Sequence, residues 1–171
     1  MNIKVFSARH GEPQYEHVLY EQGKELGEWL RSVNFVPDIC FTSEEKRAQI
    51  TLKALLRELL GVAPELTARR HVKELLLEGK LCVVKLANYG SPTDEGNLQC
   101  IQEALAVELP VRYQGRVLSV THNGSAQALI KLFTEQDHEL LQADLECGHG
   151  IALTDQDELS IHSYRDLWEK E

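Results

Sequence analysis

An α/β fold is what this 171-residue sequence predicts: a three-layer sandwich with a mostly parallel central sheet, helices on both faces and one antiparallel edge strand. Two observations carry that prediction. Short apolar stretches alternate along the chain with segments whose apolar residues recur at helical spacing. The chain then closes on two strand-like stretches, 147–154 and 158–164, on either side of Asp155-Gln156-Asp157, which reads as a turn.

The elements follow in order. Ile3-Lys4-Val5-Phe6 reads as a strand that runs into Arg9-His10-Gly11. Leu19, Leu26, Trp29, Leu30 and Val33 fall on one helical face, with Trp29 a core residue, and Pro37 ends that segment. A second strand covers Asp38 to Thr42. Ser43 is placed to cap a helix that passes through Ala48, Leu52, Leu55, Leu56 and Leu59 and stops at Gly61. Between Pro64 and Gly96 the pattern is weaker: a strand near Leu66, then short helical or irregular pieces around Glu74 and over Leu81–Ala87. Residues 91–96 form a loop into a helix over about 97–109, which Pro110 closes. Arg116 to His122 reads as a strand, and Asn123-Gly124-Ser125 opens the next helix. No linker, repeat or low-complexity tract divides residues 1–171, so one domain is expected.

Composition narrows the function classes. A hydrophobic share of 43% with 26% charged residues is ordinary for a globular protein. The net charge of −9 argues against general binding to nucleic acid or to an anionic membrane, though a few local cations can still build one positive pocket. No run approaches the apolar length of a membrane helix, and no signal peptide is expected because Arg9 interrupts the first apolar stretch. Cys40, Cys82, Cys100 and Cys147 lie far apart, which favours reduced thiols, a cytoplasmic location and no zinc site.

Chemistry concentrates at strand ends. Two strands finish alike, at Arg9-His10-Gly11 and at Thr121-His122-Asn123-Gly124. In an open α/β sheet, ligands bind at the carboxyl ends of the strands, so both histidines are expected in one crevice. Arg47, one turn into the helix after the second strand, can reach it from the side, and the helix after His122 offers its N-terminal amides. Two Arg, two His and a helix N-terminus suit a phosphoryl group.

Those motifs, Arg9-His10-Gly11-Glu12, Ser43 to Thr51 around Arg47-Ala48, and Val117 to Gly124, resemble in type and order the histidine phosphatase (phosphoglycerate-mutase-like) superfamily. The resemblance implies a metal-independent, cofactor-free phosphatase acting on a phosphomonoester. His10 is then the nucleophile that becomes phosphohistidine. Arg9, Arg47 and His122, protonated beside the phosphate, hold the phosphoryl oxygens, and Asn123, a departure from the family pattern, is expected to add an amide near the phosphate. Glu74, or alternatively Glu78, both ahead of Gly79, protonates the leaving oxygen.

Where relatives carry two glycines, a Gln and an Asn, this chain has Asn123-Gly124, Ile50 (with Gln49 one place earlier) and Glu16. The short stretch between Arg47 and His122 favours water access and hydrolysis over mutase-type transfer. The expected partner is a phosphorylated small molecule or a phosphoprotein. The alternatives in order are a phosphohistidine protein phosphatase, a mutase and a phospho-ligand module without turnover.

Overall fold

The computed structural model describes residues 1–163. Six strands form one sheet: β1 (Ile3–Arg9), β2 (Ile39–Ser43), β3 (Cys82–Leu86), β4 (Val117–Thr121), β5 (His149–Thr154) and β6 (Leu159–Ser163). Their order across the sheet is β3-β2-β4-β1-β5-β6. The first four in that order run parallel, while β5 is antiparallel to β1 and β6 to β5. The antiparallel part is therefore a hairpin of two strands, not the single edge strand expected. The expectation that Trp168 packs the C-terminal end down falls on a residue outside the described ones.

Among the described residues, five α-helices cover the sheet: α1 (Glu16–Ser32), α2 (Lys46–Leu60), α3 (Arg69–Leu77), α4 (Glu95–Leu105) and α5 (Ser125–Leu132). Strand side chains alternate between the two faces. Phe6, Cys40, Leu118 and Val120 pack under Leu26, Trp29 and Leu30 of α1 and Leu52, Leu55 and Leu56 of α2. Val5, Phe41, Val84 and Val117 pack under α3, α4 and α5, through residues such as Val72, Ile101 and Leu129. Trp29 is buried against Phe6 at 5.5 Å between ring centroids, as its place on the helical face predicts.

Two details of this packing matter for the site. On α1, a Cβ at Gly23 would stand 2.4 Å from the Thr51 carbonyl, and one at Gly27 would stand 2.5 Å from that of Leu55. Glycine at both positions lets α1 and α2 approach closely, which brings Thr51 and Gln22 beneath the end of β1. The second detail is β3, which the sequence pattern left as helical or irregular. Its residues Cys82, Val83, Val84 and Leu86 are buried on both sides, so its apolar run shows no alternation to mark a strand. The segment near Leu66 is not a strand; Thr67 only hydrogen-bonds the backbone of Val83 (2.8 Å). No helix among the described residues is long and apolar enough to cross a membrane.

Candidate active site

The carboxyl ends of β1, β2 and β4 meet at one point. His10 follows directly on β1, and its backbone is fixed from both sides: its N–H donates to Thr121 O (3.0 Å) and its carbonyl accepts from Gly148 N (2.9 Å). Its ring Nδ1 lies 2.6 Å from Gly11 O. A carbonyl can only accept, so Nδ1 carries the proton and Nε2 keeps its lone pair. Gly11 is anchored in turn, its N–H donating to Thr51 Oγ1 (3.0 Å), which donates to Arg47 O (2.8 Å). Glu12 N donates to the buried Gln22 Oε1 (2.7 Å). Burial lowers the His10 pKa most; the Gly11 bond and the Glu45 charge raise it, and Arg47 and Arg9 lower it. The net direction is down, which keeps Nε2 unprotonated and nucleophilic at neutral pH.

His122 stands 5.2 Å from His10 between ring centroids, edge to face. Its Nε2 is 2.8 Å from Ser43 Oγ, which also accepts from Glu45 N (3.2 Å). Burial first, then His10, Arg47 and Arg9, push its pKa down to about 4. Without a bound phosphate, burial and the neighbouring cations thus favour the neutral ring; the protonated His122 of the sequence reading is an expectation for the phosphate-bound site. A dianion among them would act in the opposite direction.

The two arginines complete the cage. Arg9 donates from one terminal nitrogen to Leu145 O (2.8 Å). The Nε atoms of both Arg9 and Arg47 are buried and have no hydrogen-bond partner. Leaving a buried donor unpaired costs about 1–3 kcal/mol, more when it is charged. Two such donors beside an available imidazole Nε2 point to an oxyanion as their partner.

Three expectations need correction. Glu74 and Glu78 are not in the cage. They sit in the last turn of α3 and just beyond it, where the chain turns through Gly79 and Lys80 into the first residue of β3. That places them at the amino ends of the parallel strands, opposite the histidines, and Glu78 pairs with Lys80 at 3.1 Å. Asn123 does not offer its amide to the cage either. Its Oδ1 accepts from Gln127 Nε2 (2.9 Å) and Leu145 N (2.8 Å), and its Nδ2 donates to Asp144 Oδ1 (3.1 Å). It ties down the same turn that anchors Arg9. Finally, the first amide of the α5 entry is occupied, since Gly124 N donates to Gln127 Oε1 (2.7 Å).

Sequence reasoning also missed participants. Ser43 was read as a helix cap, but α2 begins at Lys46, and the Ser43 hydroxyl instead orients His122. Glu45 is a carboxylate whose charge acts on His10. Tyr89 contacts His122 edge-on, with ring centroids 5.7 Å apart. Only a capping signal marked Ser43, and nothing marked Tyr89. Of the remaining histidines, His17 and His71 are exposed, beside Tyr15 and Arg70. Among the described residues, no three His, Cys, Asp or Glu side chains gather as a metal-binding group.

Comparison with solved structures decides the fold. The chain superposes on the protein histidine phosphatase SixA complexed with tungstate, with a TM-score of 0.60 and 15% identity, over 95% of this chain and 98% of that one. The fold is that of the histidine phosphatases. A candidate SixA phosphohistidine phosphatase from Agrobacterium tumefaciens aligns over 95% and 99% of the two chains, with a TM-score of 0.58 and 14% identity. The α-ribazole phosphatase from Shigella flexneri aligns over 93% and 94%, with a TM-score of 0.50 and 18% identity. No family model matches the sequence, and no curated protein matches it. In this histidine phosphatase fold, the four residues Arg9, His10, Arg47 and His122 come together although they are spread over more than a hundred positions.

Proposed function

We propose that this chain is a phosphatase that transfers a phosphoryl group to Nε2 of His10 and then to water. The observation that carries the reading is the pair of buried, unpartnered Arg Nε donors beside an imidazole whose tautomer is fixed by Gly11 O. Attack by Nε2 forms the P–N bond as the bond to the leaving group breaks. Arg9 and Arg47 face the charge that spreads over the phosphoryl oxygens in that loose transition state. The leaving group departs with the bonding pair and takes its proton from solvent; water then attacks phosphorus, the P–N bond breaks, the electron pair returns to Nε2, and the water's proton passes to solvent.

A second reading is favoured by the position of Glu74. With that carboxyl at the far end of the sheet, substrates that leave without strong acid assistance are preferred. A phosphoramidate such as phosphohistidine meets this condition better than an alkyl ester. One of the aligned structures carries a phosphohistidine phosphatase name and another a protein histidine phosphatase name, which accords with that preference. The test is turnover of p-nitrophenyl phosphate beside a phosphohistidine-bearing protein, with and without EDTA. Activity insensitive to EDTA and abolished in His10→Ala is expected; activity that survives His10→Ala, or that needs added metal, would overturn the mechanism.

A further inference from the structure

After β3 the chain turns back toward the cage through three consecutive left-handed residues: Asn88 (φ 51°), Tyr89 (φ 60°) and Gly90 (φ 79°). Only the third is glycine, and each non-glycine residue held there costs on the order of 1 kcal/mol. The surroundings hold the conformation. Asn97, buried on α4, donates from Nδ2 to Ala87 O and to Ser91 O, both at 2.7 Å, and accepts at Oδ1 from Ala87 N (2.8 Å). A Cβ at Gly90 would lie 3.1 Å from Ser43 Cβ and from Thr121 Cγ2, so the turn is pressed against the ends of β2 and β4.

This clamped, strained turn presents Tyr89. Its ring meets the His122 ring at 76° and yet is 60% exposed. An aromatic with that much open surface is not there for core packing. Among the described residues it is the exposed ring in contact with the cage. A phosphoryl group held by Arg9, Arg47 and His122 carries its leaving group out to the open rim, where Tyr89 stands. A preorganised Tyr supplies a flat apolar face with little conformational entropy to lose.

We infer that Tyr89 is a leaving-group subsite, built to stack on a flat aromatic or heteroaromatic ring attached to the phosphoryl group; this rests on the phosphatase reading of the cage. An aryl ester and a phosphorylated imidazole share that chemistry. Ring stacking beyond area burial corresponds to about two- to tenfold in affinity.

The test is calorimetric titration of wild type, Tyr89→Phe and Tyr89→Leu with inorganic phosphate, phenylphosphonate and cyclohexylphosphonate. Wild type and Tyr89→Phe are expected to prefer the phenyl over the cyclohexyl ligand by about two- to tenfold. Tyr89→Leu is expected to lose that preference while keeping its affinity for inorganic phosphate. Equal binding of the two phosphonates by wild type, or a preference that survives in Tyr89→Leu, overturns the subsite. So does an equal loss of all three ligands in Tyr89→Leu, which would make Tyr89 a support for His122 only. Failure of wild type to bind phosphate at all would instead count against the cage itself. Turnover of phenyl phosphate against N-phosphoimidazole, in wild type and Tyr89→Leu, separates the two sources of the flat ring.

Discussion

Lowering the pH should destabilise this protein through His122 in a measurable way. In the unfolded chain the ring titrates at its ordinary value of 6.5, while burial, His10 and the two arginines hold it to about 4 in the fold. Because the folded value is depressed, the unfolded state takes up the proton first. The contribution is fully present above about pH 6.5 and is lost as pH falls toward about 4. At about pH 5 the gap of roughly 1.5 pH units corresponds to roughly 2 kcal/mol, and solvent at the rim reduces this to about 1 kcal/mol. Urea unfolding of wild type and His122→Asn across this window measures it. The variant lacks the titrating ring, so its stability should fall less steeply than that of wild type. Saturating phosphate should flatten the wild-type curve, since a bound dianion favours the protonated ring. Parallel curves for the two proteins, or a steeper fall in the variant, would refute the electrostatic description of the cage.

Other outcomes follow from the same geometry. Glu74→Gln should leave turnover within about twofold of wild type, since the carboxyl lies at the opposite sheet edge; a loss in the general-acid range of about 10²–10⁴-fold would return Glu74 to the reaction. Gly11→Ala places a methyl 2.6 Å from Gln22 Oε1 and displaces the carbonyl that fixes the His10 tautomer. Turnover should fall by about 10²-fold with the fold retained by circular dichroism, and near-normal turnover would contradict that role. Asn123→Ala should destabilise by about 1–3 kcal/mol in chemical denaturation, because it leaves Leu145 N unpaired. A lower phosphate affinity with unchanged stability would instead mark Asn123 as a direct ligand.

The sequence made the cage legible because its members sit at punctuation points. Arg9-His10-Gly11 and His122 end strands, and Arg47 lies one turn into a helix, so strand-helix alternation alone brings them to one edge. What stayed hidden depends on distant contacts. Ser43 looks like a helix cap until the fold brings His122 to within 2.8 Å of it. Gln22 falls among apolar neighbours on α1 and is buried to bond Glu12 N, which no periodicity signals. Glu74 and Glu78 both stand ahead of Gly79, and Val72-Lys73-Glu74-Leu75 resembles the family's apolar-x-Glu pattern, which points to Glu74. Locating it required knowing that residues 82–86 are a strand, and the successive buried residues Cys82, Val83 and Val84, without alternation, concealed that. Tyr89 is placed by two successive left-handed non-glycine residues, a conformation that sequence propensity argues against.

The central claim is that Nε2 of His10 carries the phosphoryl group between its donor and water. The direct measurement is rapid acid-free quenching of the protein with ³²P-labelled phosphoimidazole, followed by mapping of the label. The account predicts label on His10 that is stable to base and labile to acid, absent in His10→Ala and retained in Glu74→Gln. Turnover with no such label under any quench, or label on another residue, would contradict it.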